Sequence, residues 1–152
     1  MTIEQRLSEL NIELPLLQNK EYPFSIGTIS GKLVFLSGQT PMVDGKMKYT
    51  GIVGSTVSIE EAQDAAVICT LNLLSALKVL IGDLNKVKRI IKLNGYVASE
   101  PNFVDQPLVI NAASNLLNDI FGVEIKHARA AIGVAALPGG CPVEIEMIAE
   151  LK

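Results

Sequence analysis

The segment Ala128-Arg129-Ala130-Ala131-Ile132-Gly133-Val134-Ala135-Ala136-Leu137 constrains this chain more than any other. It reads as a strand, and apart from one arginine it is apolar on both parities. A strand with one solvated face alternates apolar and polar residues, whereas a strand covered on both faces does not. Leu33-Val34-Phe35-Leu36 has the same two-sided character. Only two segments have the length and periodicity of helices able to cover a sheet. The chain can therefore cover one face of its sheet, and the simplest cover for the other is a second copy. A homo-oligomer with facing sheets and ligand pockets at its subunit interfaces is expected.

The two helices are well marked. Ser58 and Glu61 form a capping box, and Glu60 and Glu61 favour the first turn. Ala62, Ala65, Ala66, Cys69, Leu73, Ala76, Leu77 and Leu80 then recur as one stripe, and Gly82 suits the C-terminal cap. The second helix runs from Gln106 to Phe121, capped by Asp105 or Asn102 and ended by Gly122. Leu108, Ala112, Leu116 and Ile120 form its stripe, with Val109, Ala113 and Leu117 beside it. Thr2 and Gln5 open a short third helix that runs to about Leu10, and residues 14–22 form a connector. Strands are expected at Phe24–Ile29 and Leu33–Leu36 around a Ser30-Gly31-Lys32 turn, and at Val87–Ser99, where Arg89 and Ile90 break the alternation. Two more follow from Ala128 and from Val143. Asp44-Gly45 marks a turn before a short edge strand over Lys46–Thr50. The order β-β-(β)-α-β-α-β-β gives an α+β, two-layer domain over 1–152, with a mixed sheet, both helices on one face, and 1–22 as an extension and connector.

Composition removes several function classes. No run of about 18 apolar residues appears, so no membrane span is expected, and the N-terminus lacks the basic-then-apolar layout of a signal peptide. A cytoplasmic location follows as an expectation. Two distant cysteines and one histidine supply no metal-ligand spacing and no disulfide framework. Net charge is −3. The nearest approach to a basic patch, Lys86, Lys88, Arg89 and Lys92, reads as the solvated face of a strand, so nucleic acid is not the expected partner.

Arg129 is the charge that needs an explanation, because an unpaired charge among small apolar residues is expensive to bury. An anionic ligand explains it. On the last strand Val143, Ile145, Met147 and Ala149 take one parity, and Glu144, Glu146 and Glu150 take the other. Glu144 and Glu146 would stand about 7 Å apart on the interface side. One could pair with Arg129 and the other could hold a water. A carboxylate on a water beside a guanidinium that clamps a carboxylate is a hydrolytic arrangement. Cys141, in a Gly-Gly-Cys-Pro turn, and His127, two residues from Arg129, are the subsidiary candidates for nucleophile and base.

These residues carry a family resemblance. Ala128-Arg129-Ala130, Leu137-Pro138 and Val143-Glu144-Ile145-Glu146 resemble the C-terminal signature of the reactive intermediate deaminase A family, also called YjgF/UK114. Pro23-Phe24 and Ser37-Gly38-Gln39-Thr40-Pro41 resemble its N-terminal hairpin, and Asn111 stands where that family commonly has an Asn. The resemblance implies a chorismate-mutase-like fold, a homotrimer with three intersubunit clefts, and no metal or organic cofactor. It implies hydrolysis of enamine and imine intermediates such as 2-aminoacrylate to 2-oxo acids and ammonia, the activity of a 2-iminobutanoate/2-iminopropanoate deaminase. Arg129 would bind the substrate carboxylate and Glu144 would orient the water. Phe24, Ser37, Gly38, Asn111 and Ala131 would shape the pocket. The chain departs from the family pattern at Phe24, where many active members have Tyr, and at His127, where Pro is typical. Tyr22 could supply the missing hydroxyl if the strand were regular at Pro23. Two other readings of the same cleft stay open: a non-catalytic binder of small carboxylates, and the endoribonuclease or translation-inhibitor role often attached to the family.

Overall fold

A computed structural model describes residues 1–18 and 20–152. Its helices are α1 (Ile3–Glu9), α2 (Ile59–Ile81) and α3 (Gln106–Phe121). Its strands are β1 (Gly27–Ser30), β2 (Leu33–Gln39), β3 (Met42–Val43), β4 (Lys46–Met47), β5 (Val87–Ala98), β6 (Ala128–Val134) and β7 (Val143–Leu151). The main sheet has the order β1-β2-β7-β5-β6. All its pairings are antiparallel except β5–β6. A parallel pair needs a crossover, and α3 supplies it. The expected α+β architecture with a mixed sheet is present.

Local chemistry forms α2 as the sequence implied. Ser58 Oγ accepts from the Glu61 amide and Glu61 Oε1 from the Ser58 amide, each at 3.1 Å. Gly82 closes the helix at φ 84°, a conformation glycine adopts without Cβ strain. By length and composition α2 could cross a bilayer, with a mean hydropathy of 1.8 over 18 residues. Its apolar stripe is instead buried against β2 and β7, and Ala62, Ala65, Ala66, Cys69, Leu73 and Leu77 are fully enclosed. Small residues let the helix approach the sheet closely. Asn72 and Ser75, also buried, donate to main-chain carbonyls of Thr40, Met42 and Pro15, tying the preceding connector onto the helix.

Four expectations change in detail. The buried face of α3 is Val109, Ile110, Ala113, Leu117 and Ile120, while Leu108 is exposed. Beta-branched Val109 and Ile110 pack inward because Gly95, directly beneath, leaves room for the Ile110 side chain; a Cβ there would meet it at 2.5 Å. In β5 the buried residues are Val87, Ile90, Leu93, Gly95, Val97 and Ala98, not Ile91. The register against β7 shifts twice, between Val87 and Arg89 and between Ile90 and Lys92. These bulges are what the broken alternation recorded. Third, β1 begins at Gly27, not Phe24. Asp44-Gly45 does make a turn, but it joins β3 and β4 in a separate two-stranded hairpin rather than adding to the main sheet.

Both long helices lie on one face of the sheet, with α1 packed against α3 and Leu7 of α1 in the core. Among the described residues no element covers the other face. Leu33, Phe35 and Ile132 stand exposed there at 36%, 41% and 49%. Asn94, Tyr96, Glu144 and Glu146 share that face. Lys88 and Arg89 form ion pairs with Glu150 at 3.6 and 2.6 Å, so much of the basic cluster is a solvated, paired edge.

Candidate functional site

Arg129 lies on β6, the edge strand, opposite Leu93 of β5. Leu93 is buried under the helices, so Arg129 projects to the helix side, toward α3. Asn111 and Ser114 are three residues apart on α3 and share one face. Arg129 Nη1 donates to Asn111 Oδ1 at 2.7 Å and to Ser114 Oγ at 3.3 Å. Ser114 Oγ also lies 2.8 Å from His127 Nε2. Burial, and after it the charge of Arg129, lower the His127 pKa, so the imidazole is neutral at pH 7. Ser114 Oγ thus bridges the Arg129 guanidinium and the His127 ring. The network holds the guanidinium by one nitrogen. Among the described residues no carboxylate pairs with it; neither Glu144 nor Glu146 reaches it. Its Nε–Nη2 edge is left to take an anion in bidentate fashion. Ala131 follows on the same parity.

Glu144 belongs to a second cluster, on the open face. Between Leu36–Met147 and Gln39–Ile145 strand β2 spends one residue more than β7. The bulge falls at Ser37-Gly38 and lays the Gly38 backbone over the Glu144 carboxyl. A Cβ on Gly38 would sit 2.5 Å from Glu144 Oε1. Ser37 Oγ donates to the Ser25 carbonyl at 2.6 Å, and the Ser37 amide donates to Ile26. Phe24 precedes Ser25. Its ring stacks on Tyr22 at 5.0 Å between centroids, 21° from parallel, and both rings are about half exposed. Tyr22 and Phe24 thus lie side by side through an irregular segment, without the regular strand that matching parity would require.

Burial, and after it the charge of Glu146, raise the Glu144 pKa. No described side chain donates a hydrogen bond to this carboxyl. Beneath it, the Cys69 and Cys141 thiols both point at the Val143 carbonyl, at 3.5 and 3.4 Å. Burial pushes Cys141 up to about 11 and Cys69 well above its usual value. Both are buried thiols at neutral pH, which leaves Cys141 inert as a nucleophile. Glu146 is different: Tyr96 Oη donates to its Oε1 at 2.6 Å and Asn94 Nδ2 at 3.1 Å.

The fold therefore gathers Arg129, Asn111, His127 and Ala131 in one place, and Glu144, Gly38, Ser37 and Cys141 in another. β5 separates β6 from β7, about 10 Å across, and the Arg129 and Glu144 side chains leave opposite faces of the sheet. A cavity of about 470 Å³ between Leu117, Phe121, Ile125 and His127 contains neither Arg129 nor Glu144. Among the described residues no three His, Cys, Asp or Glu side chains converge as metal ligands. Sequence reasoning missed Ser114, Asn94 and Tyr96. Ser114 was findable as the residue one helical turn from Asn111. Asn94 and Tyr96 carry no signal of their own, because only the β5–β7 register sets them opposite the two glutamates.

The close contact at Gly38 makes a prediction. Gly38→Ala should displace the Glu144 carboxyl and lower kcat of any reaction it serves by about 10- to 100-fold, a displacement of about 1 Å being enough for that. The melting temperature should change little, because the site is half exposed. Full activity in the variant would show that Glu144 needs no contact with this bulge.

Comparisons place the chain among known proteins. Residues 4–151 match a family model described as "YjgF/chorismate_mutase-like, putative endoribonuclease". A curated relative, Protein TCP17 of Trypanosoma cruzi, is 39% identical over 151 residues, covering 99% of this chain and 94% of its own. The crystal structure of Atu1372 from Agrobacterium tumefaciens, a protein of unknown function, superposes with a TM-score of 0.90 at 49% identity, covering 99% of this chain and 94% of its own. Escherichia coli TdcF, solved with bound serine, shares the fold at 24% identity and a TM-score of 0.62, with 88% and 91% of the two chains covered.

Proposed function

The chain belongs to the YjgF/chorismate mutase-like family, and from that premise we propose that it hydrolyses small reactive imino and enamino carboxylates to 2-oxo acids and ammonia. The cleft would form between copies of the chain, most simply in a homotrimer, joining Arg129 of one protomer to Glu144 of its partner. The observation that carries this reading is the split geometry. Among the described residues, a guanidinium with one unpaired fork and a carboxyl with no side-chain donor lie on separate surfaces of one chain, and Glu144 lies on the sheet face, with exposed Leu33, Phe35 and Ile132, that no element covers.

The chemistry follows from these groups. The substrate carboxylate takes the Nε–Nη2 edge of Arg129, and the imine carbon is already electrophilic. Glu144, as carboxylate, accepts a proton from water as the oxygen bonds to carbon, and the C=N electron pair moves to nitrogen. Protonated Glu144 then returns the proton to the nitrogen. In the carbinolamine so formed, Glu144 takes the hydroxyl proton and passes it to the amino nitrogen, so that the C–N bond breaks, ammonia leaves and the oxygen becomes the oxo group. A carboxyl whose pKa is raised toward the working pH suits both transfers. The serine bound by TdcF carries the same α-carboxylate that Arg129 would take here. A net charge of −3 and the pairing of Lys88 and Arg89 with Glu150 argue against RNA as the substrate.

Purified protein added to an amino-acid oxidase reaction should accelerate 2-oxo acid release from the imines formed. Absence of acceleration across small, branched and aromatic side chains would sink the hydrolase reading. Phe24, which brings no hydroxyl to the cleft, favours one alternative: ligand binding without turnover. A thermal shift with small 2-oxo acids and no catalysis would decide for that alternative.

A further inference from the structure

Glu144 and Glu146 point to the same face about 7 Å apart, yet their surroundings differ. The β5–β7 register sets Tyr96 opposite Glu144 and Asn94 opposite Glu146. The Tyr96 hydroxyl does not serve its direct neighbour. It crosses to Glu146 Oε1 at 2.6 Å, and Asn94 Nδ2 donates to the same oxygen at 3.1 Å. An amide nitrogen can only donate, and the phenol donates its O–H there too, so this oxygen accepts two hydrogen bonds, an environment that favours the carboxylate. Glu144 receives no donor from the described side chains and is pressed under the Gly38 backbone.

We propose that Tyr96, Asn94 and Glu146 form a positioning unit that holds the negative charge of the carboxylate pair on Glu146 and the exchangeable proton on Glu144. This rests on the reading above, in which Glu144 is the acid–base group. It adds what sets that group's protonation: a pair of like residues driven apart by their environments. The groups that face Glu144 are Cys69 from α2, Cys141 before β7, Tyr96 from β5 and Glu146 from its own strand; β2 brings only Gly38. None of these is cationic, and Glu146 is the one carboxylate among them. The Tyr96 phenol is pushed up to about 12, chiefly by its bond to Glu146, as expected beside a fixed anion.

The test reads protonation directly, without turnover. Side-chain carboxyl resonances of 13C-labelled glutamates are titrated in the intact oligomer, for wild type, Glu146→Gln and Tyr96→Phe. Glu146→Gln removes the like charge and should lower the Glu144 midpoint by on the order of one pH unit. Tyr96→Phe removes a donor to Glu146, so the charge is held there less firmly and the Glu144 midpoint should fall. Where turnover is measurable, the acid limb of the kcat/KM profile should move with the Glu144 midpoint. An unmoved Glu144 midpoint in folded variants overturns the proposal. If Glu146→Gln does not fold, Tyr96→Phe, which removes a single hydroxyl, still decides. A shifted midpoint in a protein without hydrolase activity would uphold the positioning unit and overturn the proposed reaction, so the two failures are distinguishable.

Discussion

Replacing Arg129 with alanine should lower kcat/KM for imine hydrolysis by about 10²- to 10³-fold while leaving the oligomer and its melting temperature nearly unchanged. The magnitude comes from the bond type. A bidentate pair of charge-assisted hydrogen bonds contributes about 3–4 kcal/mol, and each 1.4 kcal/mol is tenfold. The small effect on stability comes from position. Arg129 lies half-buried on an edge strand, and its hydrogen-bond partners Asn111 and Ser114 are also only part-buried, so water can replace the guanidinium. Arg129→Lys should recover little, because an ammonium is a point charge without the planar fork. Steady-state kinetics with oxidase-generated imines, beside a thermal melt, checks this. An Arg129→Ala protein with wild-type kcat/KM would remove Arg129 from the site.

Mixing two inactive variants should restore activity. If each cleft takes Arg129 from one protomer and Glu144 from its partner, Arg129→Ala and Glu144→Gln oligomers are each inactive. Co-refolded in equal amounts, they assort at random, and a cleft is intact when both of its residues come from the unaltered side of each variant. That chance is about one in four, so about a quarter of wild-type activity should return, from a background near zero. Co-refolding that restores nothing, with mixed oligomers verified by mass, would place both residues in one chain's site, contrary to the opposite-face geometry. The same logic covers the exposed apolar face. Phe35→Glu puts a charge where Leu33 and Ile132 also stand exposed and should dissociate the oligomer, with loss of activity.

The sequence made the architecture legible where local chemistry and periodicity agreed. The Ser58–Glu61 box, the alanine-rich stripe of α2 and Gly82 marked that helix from end to end. The two-sided apolarity of Ala128–Val134 and Leu33–Leu36 marked a sheet face that the chain's own helices do not cover. Where sterics between distant segments decide, the sequence was silent. Nothing in Val87–Ser99 alone says that two bulges shift the inward set from Ile91 to Ile90. Nothing in the α3 stripe says that Gly95 draws Ile110 inward and leaves Leu108 out.

The candidate residues divide in the same way. Arg129, Glu144 and Asn111 could be picked from the chain because their chemical type is out of place or their motif is distinctive. That Arg129 projects toward α3, that its nitrogen is held by Asn111 and Ser114, and that Glu144 lies on the opposite face under Gly38 could not. Those facts depend on pairing register, on the β2 bulge and on which strand is the edge. Alternation along a strand is a local property and is written in the residues. Which strands become neighbours, and so which side chains share a face, is set by the packing of the whole chain, and only the tertiary structure decided it.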